Sequence, residues 1–180
     1  MNIAIISGSP REGRLSHRVA LHLAARLRQD TTHTIQIIDV RQWALPPVQS
    51  VWTSPEGVPD MYRPLAEMVF EADAFILVSP EYNGGYSPAM KNLLDYFPKQ
   101  NRKAFGLCTS SPGAMGGMRA AMQLQLLSLA LWGIPSPQIL LVPAVDSKFD
   151  EQGHLQDANF ERSIDVFVRD FLWLAERLTD

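Results

Sequence analysis

The chain has one cysteine, Cys108, in 180 residues. No internal disulfide can form, and a reducing cytoplasm is the expected compartment. Charge of either sign is not in excess: 16 Lys and Arg stand against 19 Asp and Glu, for a net charge of −3. That balance argues against broad binding to nucleic acid or to an acidic membrane surface. No apolar run approaches the roughly 20 residues that span a bilayer. No basic segment followed by a long apolar run marks a signal peptide. Membrane insertion is therefore not expected. The four histidines show no metal spacing with cysteine or acids, and His17 and His22 do not share a helical face. No metal site is expected. The chain also lacks a G-x-S-x-G elbow, which leaves a hydrolase triad without support.

What is present fits one domain over residues 1–180, with 46% hydrophobic and 19% charged residues. Asn2 to Ile6 is a short apolar run and reads as a buried strand. Ser7-Gly8-Ser9-Pro10 breaks it, and from Leu15 the apolar residues Leu15, Val19, Leu23 and Leu27 follow helical spacing. A strand thus runs through a hydroxyl-rich, basic loop into a helix. The unpaired N–H groups and positive dipole of a helix start suit a phosphate. Ser9 and Ser16 can donate, and Arg11 and Arg14 can supply charge. The same residues also suit a plain turn whose serines cap the helix. The loop lacks the Gly-Lys-Ser/Thr ending of a nucleotide P-loop, and Pro10 replaces the second glycine of G-x-G-x-x-G. A phosphate monoester such as that of flavin mononucleotide suits it better than ATP or a dinucleotide.

Further strands are expected at Thr34 to Val40, Ala74 to Val78, Lys103 to Thr109 and Gln138 to Val142. Helices are expected at Asp60 to Ala72, from Pro88 to Pro98, at Ala120 to Leu131 and at Asn159 to Leu178. Asp39 reads as a cap for its strand or the next loop. Arg41 to Asp60 holds four prolines and two tryptophans and reads as irregular. Its tryptophans either cover a ligand, meet a second subunit or staple the loop to its own domain. Asp146 to Gln156 reads as a polar loop. The helix at Ala120 is apolar enough to be either deeply buried or part of a subunit contact. Cys108 reads as a small buried hydrophobe.

Two more loops follow strands. Ser79-Pro80-Glu81-Tyr82-Asn83-Gly84-Gly85-Tyr86-Ser87-Pro88 places two aromatics, a carboxylate and an amide at the carboxyl end of a buried strand, where open α/β sheets bind ligands. Ser87 can cap the next helix and Pro88 fits its first turn. Ser110 to Gly117 is rich in glycine, and it either faces a ring edge or only enters the next helix. Five strands alternating with helices imply a parallel α/β sheet of flavodoxin-like order 2-1-3-4-5, with helices on both faces.

These residues resemble the NAD(P)H-dependent FMN reductases, which include azo dye, quinone and chromate reductases. The resemblance rests on Gly8-Ser9-Pro10-Arg11 with Ser16, on Pro80 to Gly85 followed by Ser87 to Tyr96, and on Ser111 to Gly117. It covers most of the chain. It implies that Ser9, Arg11 and Ser16 hold the FMN phosphate, with His17 beside them. It implies that Pro80, Glu81, Tyr82, Asn83 and Gly84 lie against the flavin ring, and that Ser111, Gly113 and Gly116 form the third flavin loop. Leu45-Pro46-Pro47-Val48 stands where the family often has Leu-Pro-x-Tyr. The implied activity is hydride transfer from NADPH or NADH to FMN and then to a small-molecule acceptor, with no side chain as an obligatory acid or base. The implied assembly is a homodimer or homotetramer. A flavodoxin-type electron carrier and a domain that has lost its flavin are the competing classes. NADPH would not bleach the flavin of the first, and the second would not bind FMN.

Overall fold

The structure is a computed structural model that describes residues 1–179. Strand β1 (Asn2–Ser7) leads to α1 (Leu15–Asp30) and β2 (Thr34–Asp39). A single turn, α2 (Val40–Trp43), precedes α3 (Arg63–Phe70), β3 (Ala74–Pro80) and α4 (Pro88–Asp95). Then come β4 (Ala104–Ser110), α5 (Met118–Ala130), β5 (Ile134–Val142), the short α6 (Val145–Lys148) and α7 (Glu161–Thr179). All neighbouring strands pair in parallel, in the order β2-β1-β3-β4-β5.

Alternation along the central strands divides the core into two layers. Ile3, Ile5, Ile76, Val78 and Cys108 face α1 and α7, where Val19, Leu23, Phe167 and Phe171 meet them. Ala4, Ile6, Phe75, Leu77 and Leu107 face α3, α4 and α5, where Leu65, Val69, Leu93 and Leu124 cover them. Both faces of β3 and β4 are therefore buried, which is why those strands read as unbroken apolar runs. Cys108 is fully buried, and burial pushes its thiol well above the ordinary range. It is a small core side chain, as its strand position implied.

Four boundaries differ from the sequence reading. Strand β5 begins at Ile134, so Pro135 and Pro137 lie within it, and the register against β4 shifts between Phe105 and Leu107. An edge strand with a bulge tolerates proline because its outer N–H groups have no ladder partner. Asp60 does not cap the third helix; a 3-10 turn (Asp60–Tyr62) intervenes, and Asp60 pairs with Arg63 instead. The Arg41–Asp60 stretch contains most of the turn α2, capped when Asp39 accepts the Arg41 N–H. The Asp146–Gln156 stretch contains most of α6, and Phe149 bridges to Leu155. Trp52 stacks among Tyr62, Tyr96 and Phe97, so it staples its segment to α3 and α4. No helix among the described residues is long and apolar enough to cross a membrane.

The last long loop and α5 create an unusual surface. Ala120, Ala121, Leu124 and Leu127 turn into the core, but Met118, Met122, Leu126 and Leu129 face outward. Met115 before the helix and Trp132 after it extend this apolar stripe. Leu126 alone is 69% exposed. Of the two sequence readings of this helix, deep burial holds for one face only; the other face is exposed.

Candidate cofactor site

Three loops meet at the carboxyl ends of β1, β3 and β4. The first, residues 8–14, is anchored where the Gly8 N–H donates to the Val78 carbonyl at 2.9 Å. A Cβ on Gly8 would lie 2.5 Å from Met90 Cε and 3.1 Å from the Val78 carbonyl oxygen, so glycine lets this loop pass close to α4 without moving Met90. Arg14 does not point to an open phosphate position. It forms a two-pronged pair with Asp39 and donates to the Ser9 carbonyl at 3.1 Å. Both partners are largely buried. Burial pushes the Asp39 carboxyl up, but hydrogen bonds from Arg14 and the Arg41 N–H, with the Arg14 charge, hold it below the ordinary carboxylate value. Asp39 thus caps α2 and fixes the first loop through Arg14.

The second loop is a tight hairpin. Tyr82 and Gly85 exchange both backbone hydrogen bonds, at 2.8 and 3.0 Å. Asn83 and Gly84 between them have φ of +51° and +81°. That Asn-Gly pair supplies the left-handed conformation a two-residue turn requires. Ser79 Oγ accepts the Ser87 N–H, and Ser87 Oγ accepts the Ala89 N–H at the start of α4, the cap expected of it. Glu81 reaches across to the third loop, where one carboxylate oxygen accepts the N–H groups of Arg119 and Ala120 at 3.1 and 3.3 Å. A carboxylate there satisfies unpaired donors of α5 and meets its dipole.

The third loop leans on β5. Gly116 has φ of +59°, and a Cβ on it would lie 2.9 Å from the backbone nitrogens of Val142 and Pro143. Thr109 Oγ1 donates to the Gly116 carbonyl at 3.0 Å. Ser111 Oγ accepts the Gly113 N–H at 3.0 Å.

Between the loops lies a groove of about 270 Å³. Ser9, Arg11 and Ser16 line its first side, and Pro80, Glu81 and Tyr82 line its second. Ser111 closes the third side. With Arg14, which also lines it, eight of the residues singled out in the sequence share one cavity. Gly113 lines a smaller adjoining space with Glu81 and Arg119. Asn83, Gly84 and Gly116 lie outside the groove walls because their backbone shapes the turns behind it. His17 is also outside: its Nδ1 lies 2.9 Å from Ser7 Oγ, at the end of β1. Burial, then the Arg14 charge, lowers its pKa, with Asp39 opposing. Sequence reasoning missed Ser110, Pro112 and Val145 on the wall, and with them Glu12 of the first loop. The first two belong to the loop already marked; Val145 reaches the groove only through the fold of β5 and α6.

The groove is built for an anion at one end. Helix α1 has no side-chain cap and no acidic residue in its first turn. Ser16 is buried, and its hydroxyl has no partner. Arg11 forms no salt bridge among the described residues; its guanidinium lies 4.0 Å from the centre of the Tyr82 ring. Tyr82 in turn shares a 2.9 Å hydrogen bond with Ser9 Oγ. An uncapped helix start, an unused buried hydroxyl and a free guanidinium fit a phosphate monoester. The aromatic and glycine-rich remainder fits a flat ring.

Known proteins agree with this chemistry. An NAD(P)H-dependent FMN reductase of Schizosaccharomyces pombe is 30% identical over 129 residues, 68% of this chain. That alignment spans 63% of the yeast protein's length. An FMN-dependent NADPH-azoreductase of Staphylococcus aureus is 27% identical over 172 residues, covering 91% of this chain and 89% of the relative. Among solved structures, the flavoenzyme NAD(P)H:(acceptor) oxidoreductase FerB of Paracoccus denitrificans superposes with a TM-score of 0.78 at 20% identity. It covers 98% of this chain and 97% of its own, and supports the fold. The family model for NADPH-dependent FMN reductases matches residues 1–144. All three loops lie inside that span, and the chain belongs to the NADPH-dependent FMN reductase family.

Proposed function

We propose that this chain binds FMN in the three-loop groove, takes hydride from NADPH or NADH, and reduces a small-molecule acceptor in the same place. The observation that carries the placement is the α1 start, where an uncapped helix, the unpartnered Ser16 hydroxyl and Arg11 converge. Arg11, Ser9, Ser16 and the first N–H groups of α1 hold the phosphate. Pro80, Tyr82 and Ser111 wall the ring, and the hairpin at Asn83-Gly84 sets their height.

Bound FMN supplies the electron chemistry, accepting hydride from a reduced nicotinamide and returning it to an acceptor. The chain's own contribution is orientation and electrostatics. N–H groups of the second and third loops favour negative charge on the ring edge. Glu81 locks those two loops together through α5, so their spacing is fixed before the ring enters. No side chain is assigned as an obligatory proton donor. An azo compound is the first acceptor to test, following the staphylococcal relative, with quinones, free flavin and metal oxyanions after it. We further assign residues 1–180 to one domain and the protein to the cytoplasm. The exposed stripe on α5, which begins beside the third loop, supports a homodimer or homotetramer in which a second copy covers it.

An anaerobic titration tests the reading. FMN is added, excess is removed, and NADPH follows under observation of the flavin absorbance. Bound flavin that bleaches supports a reductase. Bound flavin that stays oxidised with both NADPH and NADH would make the chain an electron carrier. Failure to bind or turn over FMN would remove the assignment.

A further inference from the structure

A second cavity, about 280 Å³, lies on the other side of the first loop. Pro10 forms one wall, and its neighbours Ser9 and Arg11 line the cofactor groove. The two spaces are thus one residue apart. Trp43 and Val40 of α2 form a second wall, and Ala89 and Leu93 of α4 a third.

The cleft is held in shape by hydrogen bonds rather than by chance packing. Asn92 donates to the carbonyls of Leu45 and Pro46 at 3.3 and 2.7 Å, and accepts the Val48 N–H at 2.9 Å. The Tyr96 hydroxyl donates to the Pro46 carbonyl at 3.1 Å. Ala44, at the mouth, is held at φ +38°, a conformation that alanine rarely adopts. Such strain persists where surrounding structure enforces it.

Size and charge narrow the occupant. The cleft is about the size of the cofactor groove, at the low end of small-molecule pockets, so it suits part of a dinucleotide rather than the whole. The cofactor groove is no larger, and cannot take the flavin phosphate together with a whole dinucleotide. The donor's nicotinamide must reach the flavin, so its other half has to leave the groove. Pro10 stands between the groove and the cleft. Arg41 follows Val40, a residue of the cleft wall. Its guanidinium is 3.1 Å from Glu12, a carboxylate that is 91% exposed. An ion pair that open to water is weak, so Arg41 is available to phosphate. An apolar cleft with an indole wall and the Arg41 guanidinium nearby matches an adenosine phosphate. A purely apolar acceptor would make no use of Arg41.

We propose that this cleft is the subsite for the adenine half of the nicotinamide dinucleotide, with Trp43 as its stacking surface. The proposal rests on the reductase reading above. The test uses the FMN-loaded protein and two variants, Trp43→Ala, which removes the wall, and Ala89→Leu, which fills the space. NADP⁺ binding is measured by calorimetry. Steady-state rates are measured with NADPH and with reduced nicotinamide mononucleotide, which has no adenine. Each variant is expected to weaken NADP⁺ binding about tenfold, the loss of one base–aromatic stack. KM for NADPH should rise in step while kcat holds, and KM for the mononucleotide should not move. Equal changes with both donors, or no change with either, would overturn the subsite. The reductase reading would survive that result, provided the wild type still oxidises NADPH. A wild type that holds FMN but neither binds NADP⁺ nor oxidises NADPH would overturn both.

Discussion

The hydroxyls of Ser9 and Tyr82 lie 2.9 Å apart, 73 residues distant in the chain. Arg11 lies over the same tyrosine ring. The first and second loops of the groove are therefore latched to each other through one side chain. Replacing Tyr82 by Ala should remove both contacts. FMN affinity should fall about tenfold, within the range of one aromatic stack, while hydride transfer in the saturated protein changes far less. Fluorescence titration against FMN and stopped-flow bleaching separate the two quantities. Unchanged affinity and unchanged turnover would remove Tyr82 from the site.

In the proposed placement of FMN, Arg11 and Ser16 hold the phosphate. Arg11→Ala should weaken FMN by roughly 1.5–3 kcal/mol, the scale of a charge-assisted hydrogen bond. Riboflavin, which has no phosphate, should bind the variant and the wild type alike. Ser16→Ala should show the same selectivity with a loss of about 1 kcal/mol. Parallel titrations with the two flavins settle the matter. Equal losses for both would mean a general disturbance of the loop.

Asp39 and Arg14 predict an acid limb in stability. Asp39 has a folded-state pKa below its unfolded value of 3.8. Its contribution is therefore complete above about pH 4 and disappears as pH falls through the lowered value. Asp39→Asn should destabilise the protein at pH 7 by about 2 kcal/mol. Denaturation midpoints of variant and wild type, measured from pH 7 down to pH 2, should converge at the acid end. A gap that stays constant over that range would assign the effect to packing.

Leu126 stands at the centre of the outward stripe on α5. Leu126→Lys should leave the fold and FMN binding intact and shift the sedimenting species to the monomer. Analytical ultracentrifugation reads this directly. A wild type that is monomeric at all accessible concentrations would leave the stripe without the assigned partner.

Much of the architecture was legible because its signals are local. Ile3 to Ile6 and Ala74 to Val78 are buried on both faces, so their apolar runs announce central strands. The Asn83-Gly84 pair announces its turn for an equally local reason, the need for positive φ. Ser9, Arg11, Ser16 and Tyr82 could be grouped because each follows a strand end, and parallel strands bring those ends together. Contacts over long separations were not legible. Nothing near Arg14 shows that Asp39, 25 residues away, will take its charge. Nothing near Glu81 shows that it will cap α5, 38 residues on. The start of β5 was missed because proline breaks most strands, and only position at the sheet edge reverses that rule.

Those prolines carry a consequence for how copies of the chain can meet. Ile134 N–H points inward to the Lys103 carbonyl, so the amide of residue 135 belongs to the open rim. Proline there, and again at 137, removes two N–H donors from the first half of β5. That end of the edge is a poor template for an incoming strand. The α5 stripe proposed to meet a second copy uses side chains instead, so sheet extension at this end and the proposed association of copies fall on separate surfaces.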